Sequence, residues 1–353
     1  MKIKLAILER DQNYLNRMVE VFGAKYSDKL EIYSFSDPEL ALSELGPNRI
    51  DVFVASDAFE FEIKAVPQRC GFAYFVEASG VDTINGQKAI CKFQRAEMIY
   101  KQILSIYAEV SSKVSGLRFD DSDTKVIIFS SPCGGTGTSS VAAACAMHFA
   151  AVKKRVLYLN LEKFGDQSIF FCAEGLSGFS DVIYALKSRK ANLPMKLESS
   201  LKQDDSGVYF YSPSKVALDM MELTGDDVLR LISELKLLGA FDYIVTDMDF
   251  APDAARMKIC REAHAMVWVG DGRDLSNRKI QRAYEAVSIL EQNEDAPLTN
   301  RIGLIYNKFS SKTGKTVGEI GIREIGGAPR YENAAPEQII RMLSSMELFE
   351  NII

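Results

Sequence analysis

The chain has 353 residues, room for two or three domains, and its 47% apolar and 25% charged residues suit a globular protein with an ample core. Its 42 basic and 48 acidic side chains leave a net charge of −6, which excludes a global recruitment to nucleic acid or anionic lipid. The six cysteines (70, 91, 133, 145, 172, 260) include no C-x-x-C pair, and His148 and His264 are the only histidines. That argues for a reducing compartment, against a metal cluster and against a histidine-centred site. No apolar run reaches the ~18 residues of a membrane span, and the N-terminus turns charged too early for a signal peptide. A cytoplasmic protein is the expectation.

In chain order, Lys2 to Leu8 alternates and predicts a strand, and Asp11 to Phe22 carries apolar residues at helical spacing (Leu15, Met18, Val19, Phe22). Leu30 to Phe35 predicts a second strand, and Asp37-Pro38 opens a helix to Leu45. Ile50 to Ser56, Phe72 to Val76 and Lys88 to Phe93 supply three more strands, and Glu97 to Ser111 a closing helix. This alternation predicts a parallel sheet of about five strands. The first part resembles a response-regulator receiver domain, with Lys92 where receivers keep a phosphoryl-contacting lysine. The resemblance also implies an acidic pair after the first strand and a phosphoacceptor aspartate ending the third. Here the run is Glu9-Arg10-Asp11, the acceptor's place is Ser56, and Asp57 comes one residue late. An aspartate displaced by one points to the other side of a strand end. A degenerate receiver, used for docking or dimerisation, is the expectation.

Residues 111–123 are polar and contain Asp120, Asp121 and Asp123, which predicts a first domain at 1–112, a linker at 113–123 and a second domain at 124–353. The second part opens on Val126-Ile127-Ile128-Phe129, then Ser130-Ser131-Pro132-Cys133-Gly134-Gly135-Thr136-Gly137-Thr138-Ser139-Ser140, then an alanine-rich helical run to Ala150. Strand, glycine loop and helix form the setting in which backbone N–H groups cradle phosphates. Arg155 to Leu161 predicts a buried strand and Phe179 to Ser188 a helix. Lys187 to Asp205 is charged and patternless, a surface excursion. Val208 to Tyr211 predicts a short strand. Thr224-Gly-Asp-Asp227 reads as a capping box for a helix to Leu238. Further strands are expected at Asp242 to Thr246, ending at Asp247, at Ala265 to Val269 and at Arg301 to Tyr306. Helices are expected at Ala254 to Glu262 and Leu275 to Glu291. Gly326 to Pro329 predicts a turn, and Pro336 opens a final helix through Phe349 whose apolar face packs on the core rather than on a membrane. Buried Trp268, an inert Cys133 and a packed His148 complete the expectations.

Ligands of open α/β sheets bind at the carboxyl ends of strands. The glycine loop, Asn160 and Glu162, Asp247, Asn307, and Pro329-Arg330-Tyr331 all fall there. On these residues the second part resembles the ParA/MinD group of deviant Walker A ATPases. The resemblance implies ATP and Mg²⁺ as ligands. Residues Gly134 to Ser140 would hold phosphates, and Ser139 would bind the metal, with Asp247 acting through water. Glu162 would orient the attacking water. Asn307 would read adenine, and Pro329, Arg330 and Tyr331 would flank it. A degenerate receiver before such a domain resembles the CpaE/TadZ pilus-assembly proteins, and Phe164-Gly165-Asp166 adds to that likeness. The resemblance implies a homodimer, and protein partners in a pilus or secretion assembly at the inner membrane, near the cell pole.

The fold class expected is thus α/β, a flavodoxin-like receiver domain plus a P-loop NTPase domain with a mostly parallel sheet. The two loop lysines of the ParA/MinD group are replaced by Cys133 and Thr138. Their loss removes cations that offset charge in phosphoryl transfer. Nucleotide binding with very slow turnover is expected. An ATP-hydrolysing partition motor and a receiver-linked DNA-binding regulator are the alternatives. Lys163 and Lys308 are the neighbouring lysines that could restore charge.

Overall fold

The computed structural model describes residues 2–67, 69–110, 124–175, 177–188, 193–291, 297–318 and 320–352. The expected linker at 113–123 lies outside them. Contacts divide the chain into two compact units: Met1–Gly116 with Ser188–Ser200, and Leu117–Lys187 with Leu201–Ile353.

The first unit runs β1 (Ile3–Leu8), α1 (Gln12–Lys25), β2 (Leu30–Phe35), α2 (Pro38–Leu45), β3 (Val52–Ser56), β4 (Gly71–Val76), β5 (Thr83–Ile84), β6 (Gln87–Cys91) and α3 (Ala96–Val110). Its sheet has the order β2-β1-β3-β4-β6-β5, with the five principal strands parallel and β5 antiparallel to β6. The helices start where side chains satisfy their first N–H groups. Asp11 accepts from the N–H of Asn13 and Tyr14 to open α1, and Asp37 accepts from Leu40 before Pro38 in α2. The β5–β6 hairpin was not expected. It turns at Asn85-Gly86, both at positive φ (50° and 75°), the pair such tight turns favour.

The segment expected to be a surface excursion instead contains α6 (Leu193–Ser200), which packs on α3. Met195 enters the same core as Phe75 and Ile103, and Leu193 and Leu197 are buried with it. The Lys196 ammonium donates to the Ser105 hydroxyl at 2.8 Å, and Lys29 pairs with Glu198 at 2.8 Å. Flanking charges hid an eight-residue helix whose burial on the first unit, rather than its own pattern, stabilises it.

The second unit continues with β7 (Lys125–Ser130), α4 (Thr138–Ala151), β8 (Val156–Asn160), α5 (Phe179–Ser188), β9 (Lys202–Gln203), β10 (Tyr209–Phe210), α7 (Ala217–Met221), α8 (Gly225–Leu237), β11 (Tyr243–Asp247), α9 (Ala254–Arg261), β12 (Ala265–Gly270), α10 (Asp274–Leu290), β13 (Ile302–Phe309), β14 (Arg323–Pro329) and α11 (Pro336–Ser344). The sheet order is β14-β13-β12-β7-β11-β8-β10-β9, parallel throughout except that β9 runs antiparallel to β10. Helix α4 is buried nearly all round, and its alanines allow close approach to the sheet and to α11.

Two expectations are corrected here. Gly326 to Pro329 belongs to β14, an edge strand in irregular register with β13, where glycine and proline are tolerated. The last helix stops at Ser344, and a 3₁₀ turn over Glu347–Ile352 follows. Ile340, Leu343 and Phe349 are buried, so the apolar face of α11 is covered by the core. His148 donates from Nδ1 to the Ser344 carbonyl at 2.9 Å, holding α4 to the end of α11. Trp268 is 2% exposed in β12 and stacks edge-on against Phe250.

Candidate nucleotide site

The loop after β7 is braced from within. The Ser131 hydroxyl donates to the Val269 carbonyl at 2.6 Å and accepts from the Cys133 N–H at 3.0 Å. Cys133 is buried, its thiol donating to the Ser276 carbonyl at 3.3 Å. A side chain held inward by α10 is a loop anchor. Gly135 and Gly137 lie at φ of 77° and 83°, a left-handed conformation that a residue bearing Cβ adopts only with strain. Among the described residues, none of the N–H groups from Gly134 to Ser140 donates to another protein group. Successive unpaired N–H groups leading into the N-terminus of a 14-residue helix form an anion cradle.

The opposite wall comes from β8 and β11. Asp247 ends β11 with no exposure. Its Oδ2 accepts from the Tyr158 hydroxyl at 2.9 Å, and its Oδ1 is buried without a partner. Glu162 reaches back so that its Oε2 accepts from the Ser139 hydroxyl at 3.2 Å. Burial, then the Glu162 charge, push the Asp247 carboxyl up to about 7, despite the Ser139 and Tyr158 hydroxyls that lower it. Glu162 is also raised, chiefly by burial. Two carboxyls and one hydroxyl crowded this closely, with one oxygen orphaned, form a set of hard oxygen donors. Magnesium fits this donor set, since it takes hard oxygens and one or two carboxylates.

Asn160 closes the turn that follows β8. Its Oδ1 accepts from the Glu162 N–H at 2.9 Å, and any Cβ on Gly165 would collide with its amide. The neutral amide thus knits the turn that presents Glu162. Beside that turn lies a cavity of about 350 Å³, lined by Asn160, Glu162, Lys163, Phe179 and Pro213 among others. Lys163 is therefore on the carboxylate flank. Asn307 and Lys308 hold the loop from the other flank, at the end of β13. Asn307 is buried, and its Nδ2 donates to the Thr136 carbonyl at 2.8 Å. The Lys308 ammonium donates to the Gly135 carbonyl at 2.9 Å.

The structure thus brings together the loop, Ser139, Glu162 and Asp247, with Asn307 on the far flank. Pro329 ends β14 at the edge beyond β13. Arg330 is exposed, 3.9 Å from Glu332, and the Tyr331 hydroxyl lies 3.9 Å from the Met346 sulfur. Sequence reasoning missed two contributors, Ser131 as brace and Tyr158 as the partner of Asp247, and it named Lys308 without placing it on the loop. Only Ser131 offered a signal, as a hydroxyl opening the loop.

The first unit carries a buried charged cluster of its own. Ser56 ends β3 fully buried, and its hydroxyl accepts from the Lys92 ammonium at 3.2 Å. Lys92 also pairs with Glu9 at 2.8 Å, both side chains being at most 7% exposed. Asp57 is exposed. The lysine charge is consumed internally.

Residues 1–108 match the family described as TadZ-like, receiver domain. No curated protein matches the chain in sequence. Among solved structures, a ParA family ATPase from Chlorobium tepidum TLS superposes with a TM-score of 0.52 at 18% identity, covering 66% of this chain and 97% of its own. A MinD from Pyrococcus horikoshii OT3, complexed with Mg-ADP, gives 0.48 at 15% identity, covering 63% and 94%. A plasmid partition protein from Borrelia burgdorferi B31, bound to AMPPNP, gives 0.46 at 16% identity, covering 65% and 97%. The chain is an α/β protein that joins a receiver domain to a P-loop NTPase fold of ParA type. Its first domain matches the TadZ-like receiver family, and its second unit shares its fold with a ParA family ATPase.

Proposed function

We propose that this protein binds ATP with magnesium and acts as a nucleotide-dependent scaffold in a pilus or secretion assembly, with little or no hydrolysis. The observation that carries the reading is the buried, unpartnered Asp247 oxygen facing Ser139 and Glu162 beside a run of unpaired loop N–H groups. Residues Gly134 to Ser140 cradle the phosphates. Ser139 and Asp247 hold the metal, Asp247 through water. Asn307, Pro329, Arg330 and Tyr331 form the adenine end. The bound magnesium supplies charge neutralisation of the phosphates.

Slow turnover follows from what the chain lacks. Thr138 and Cys133 put no ammonium on the loop, and Cys133 is committed to the Ser276 carbonyl. Glu162, the residue expected to orient water, already accepts from Ser139. A carboxylate displaced by ~1 Å from its working position costs about 100-fold in rate. The TadZ-like first domain supports the pilus reading, with homodimerisation and placement at the inner membrane near the pole as its corollaries. Titration calorimetry with ATP–Mg tests the core of this reading. Saturable binding, weakened at least tenfold in Asp247→Asn, is expected, while absence of binding in the unmodified protein refutes it.

A further inference from the structure

The cavity of about 350 Å³ on the carboxylate flank falls within the range of about 300–1,000 Å³ in which ligand sites are found. One wall is the turn that follows β8, and the other runs from Pro213 into α7, with Phe179 of α5 between them. The walls are tied to each other. The buried Gln167 amide donates to the Tyr211 carbonyl, and the Phe179 N–H donates to the Ser212 carbonyl at 3.0 Å. The Ser180 and Ser214 hydroxyls both donate to Asp219 Oδ2, at 2.7 and 2.9 Å, which fixes α7 against α5.

The rim of this cavity is apolar and wet. Phe164 and Ile169 on one wall, and Val216, Leu218 and Met221 on the other, are between 48% and 76% exposed. Five large apolar side chains on two neighbouring segments make a patch of the kind that marks an interaction site. The charges that line the cavity are of two kinds. Its acids are engaged: Glu162 accepts from the Ser139 hydroxyl, and Asp166 accepts from the Ser168 N–H at 3.0 Å. Its lysines, Lys163 and Lys215, are exposed, and no carboxylate among the described residues pairs with either ammonium. Their backbones are fixed nonetheless, since the Lys163 N–H donates to Asp249 at 3.1 Å and the Lys215 N–H to the Ser180 hydroxyl at 3.0 Å. The charge left over for a partner is therefore positive. A second copy meeting this patch about a two-fold axis would bring the same free cations and no free lining acid, so the surface is complementary to a different chain.

We propose that the cavity and its rim dock a segment of a protein partner in which aromatic or large aliphatic side chains are interleaved with carboxylates. One apolar side chain of the segment fills the cavity between Phe179 and Pro213, its neighbours lie on Phe164 and Leu218, and its carboxylates meet Lys163 and Lys215. The turn after β8 gives this docking a second property. It carries Glu162 to Ser139 on one side, and Lys163 and Phe164 to the partner on the other. A nucleotide that moves Glu162 thus moves the docking surface, and such coupling is reciprocal. The docking stands on the cavity and the patch alone, whereas the coupling rests on the nucleotide-binding reading above.

The test is fluorescence polarisation of a short labelled peptide of aspartate, leucine and phenylalanine, titrated with the full chain in the absence and presence of ATP–Mg. Saturable binding is expected, at least about tenfold weaker for the counterpart peptide with lysine in place of aspartate. A loss of about tenfold is expected in the chain carrying Lys163→Ala with Lys215→Ala, and again in Phe164→Ser. These side chains are exposed, so the variants keep their fold, and Leu275→Ser, at an equally exposed position on α10, is expected to bind as the unmodified chain does. No saturable binding of the acidic peptide, or equal binding of both peptides or by all variants, overturns the docking. So does a dimer, seen on sizing, that the same substitutions dissociate, because the patch then belongs to a second copy. ATP–Mg is expected to change the peptide affinity by about fivefold or more. An unchanged affinity in a chain that calorimetry shows to bind ATP–Mg overturns the coupling. Failure to bind ATP–Mg removes the nucleotide reading and the coupling with it, while the peptide titration still decides the docking.

Discussion

Lys92 and Glu9 show how one residue can close a site. Both are nearly inaccessible, and the Lys92 ammonium is shared between Glu9 at 2.8 Å and the Ser56 hydroxyl at 3.2 Å. A phosphoacceptor in place of Ser56 would compete with Glu9 for that charge. Removing one member of a buried ion pair strands the other, at a cost of about 3–5 kcal/mol. Lys92→Met is therefore expected to destabilise the first unit by that order, and Glu9→Gln in the same chain to recover much of it. Calorimetry is the suitable measurement, because the single tryptophan, Trp268, lies in the second unit and does not report on the first. Equal melting of Lys92→Met and the unmodified chain would show that the pair contributes nothing.

Among the elements, α6 and α8 make separable claims. Met195 is 1% exposed in a core otherwise drawn from the first 107 residues. Met195→Ala is expected to cost about 2–5 kcal/mol in the unfolding of the first unit, although residue 195 lies far along the chain. An unfolding shift confined to the second unit would contradict the placement of α6. The α8 capping box is testable by pH. Although partial burial raises it, the Asp227 carboxyl is held down to about 2 by the Lys187 ammonium and by Thr224. Its folded value is below its unfolded one, so its contribution is present above about pH 4 and is lost as pH falls towards 2. The stability gap between Asp227→Asn and the unmodified chain should narrow over that window. A gap that stays constant from pH 5 to 2 would contradict it.

Over the whole molecule, what was legible in the sequence divides along a physical line. Regular strands, the capped helices and the strand-end residues were legible because propensity, caps and apolar periodicity agree there, as at Asp11, Asp37 and Thr224. Short elements were not. Helix α6 depends on a partner surface contributed by residues far away in the chain, and β14 hides behind glycines that an edge strand tolerates. At the site, the residue types announced the glycine loop, Ser139 and Asp247. Only the fold shows that Glu162 turns onto Ser139 and that Lys308 lies on the opposite flank from Asp247. Both depend on backbone turns at 160–165 and 306–309 that no periodicity encodes.

The central claim is that the loop holds a nucleotide and turns it over slowly, and one calorimetric titration with ATP–Mg, followed by phosphate release from the same sample, addresses it most directly. The account predicts saturable heat from ATP–Mg and turnover far below ~1 s⁻¹, the low end of ordinary enzymes. No heat of binding, or turnover at that rate or faster, would contradict it.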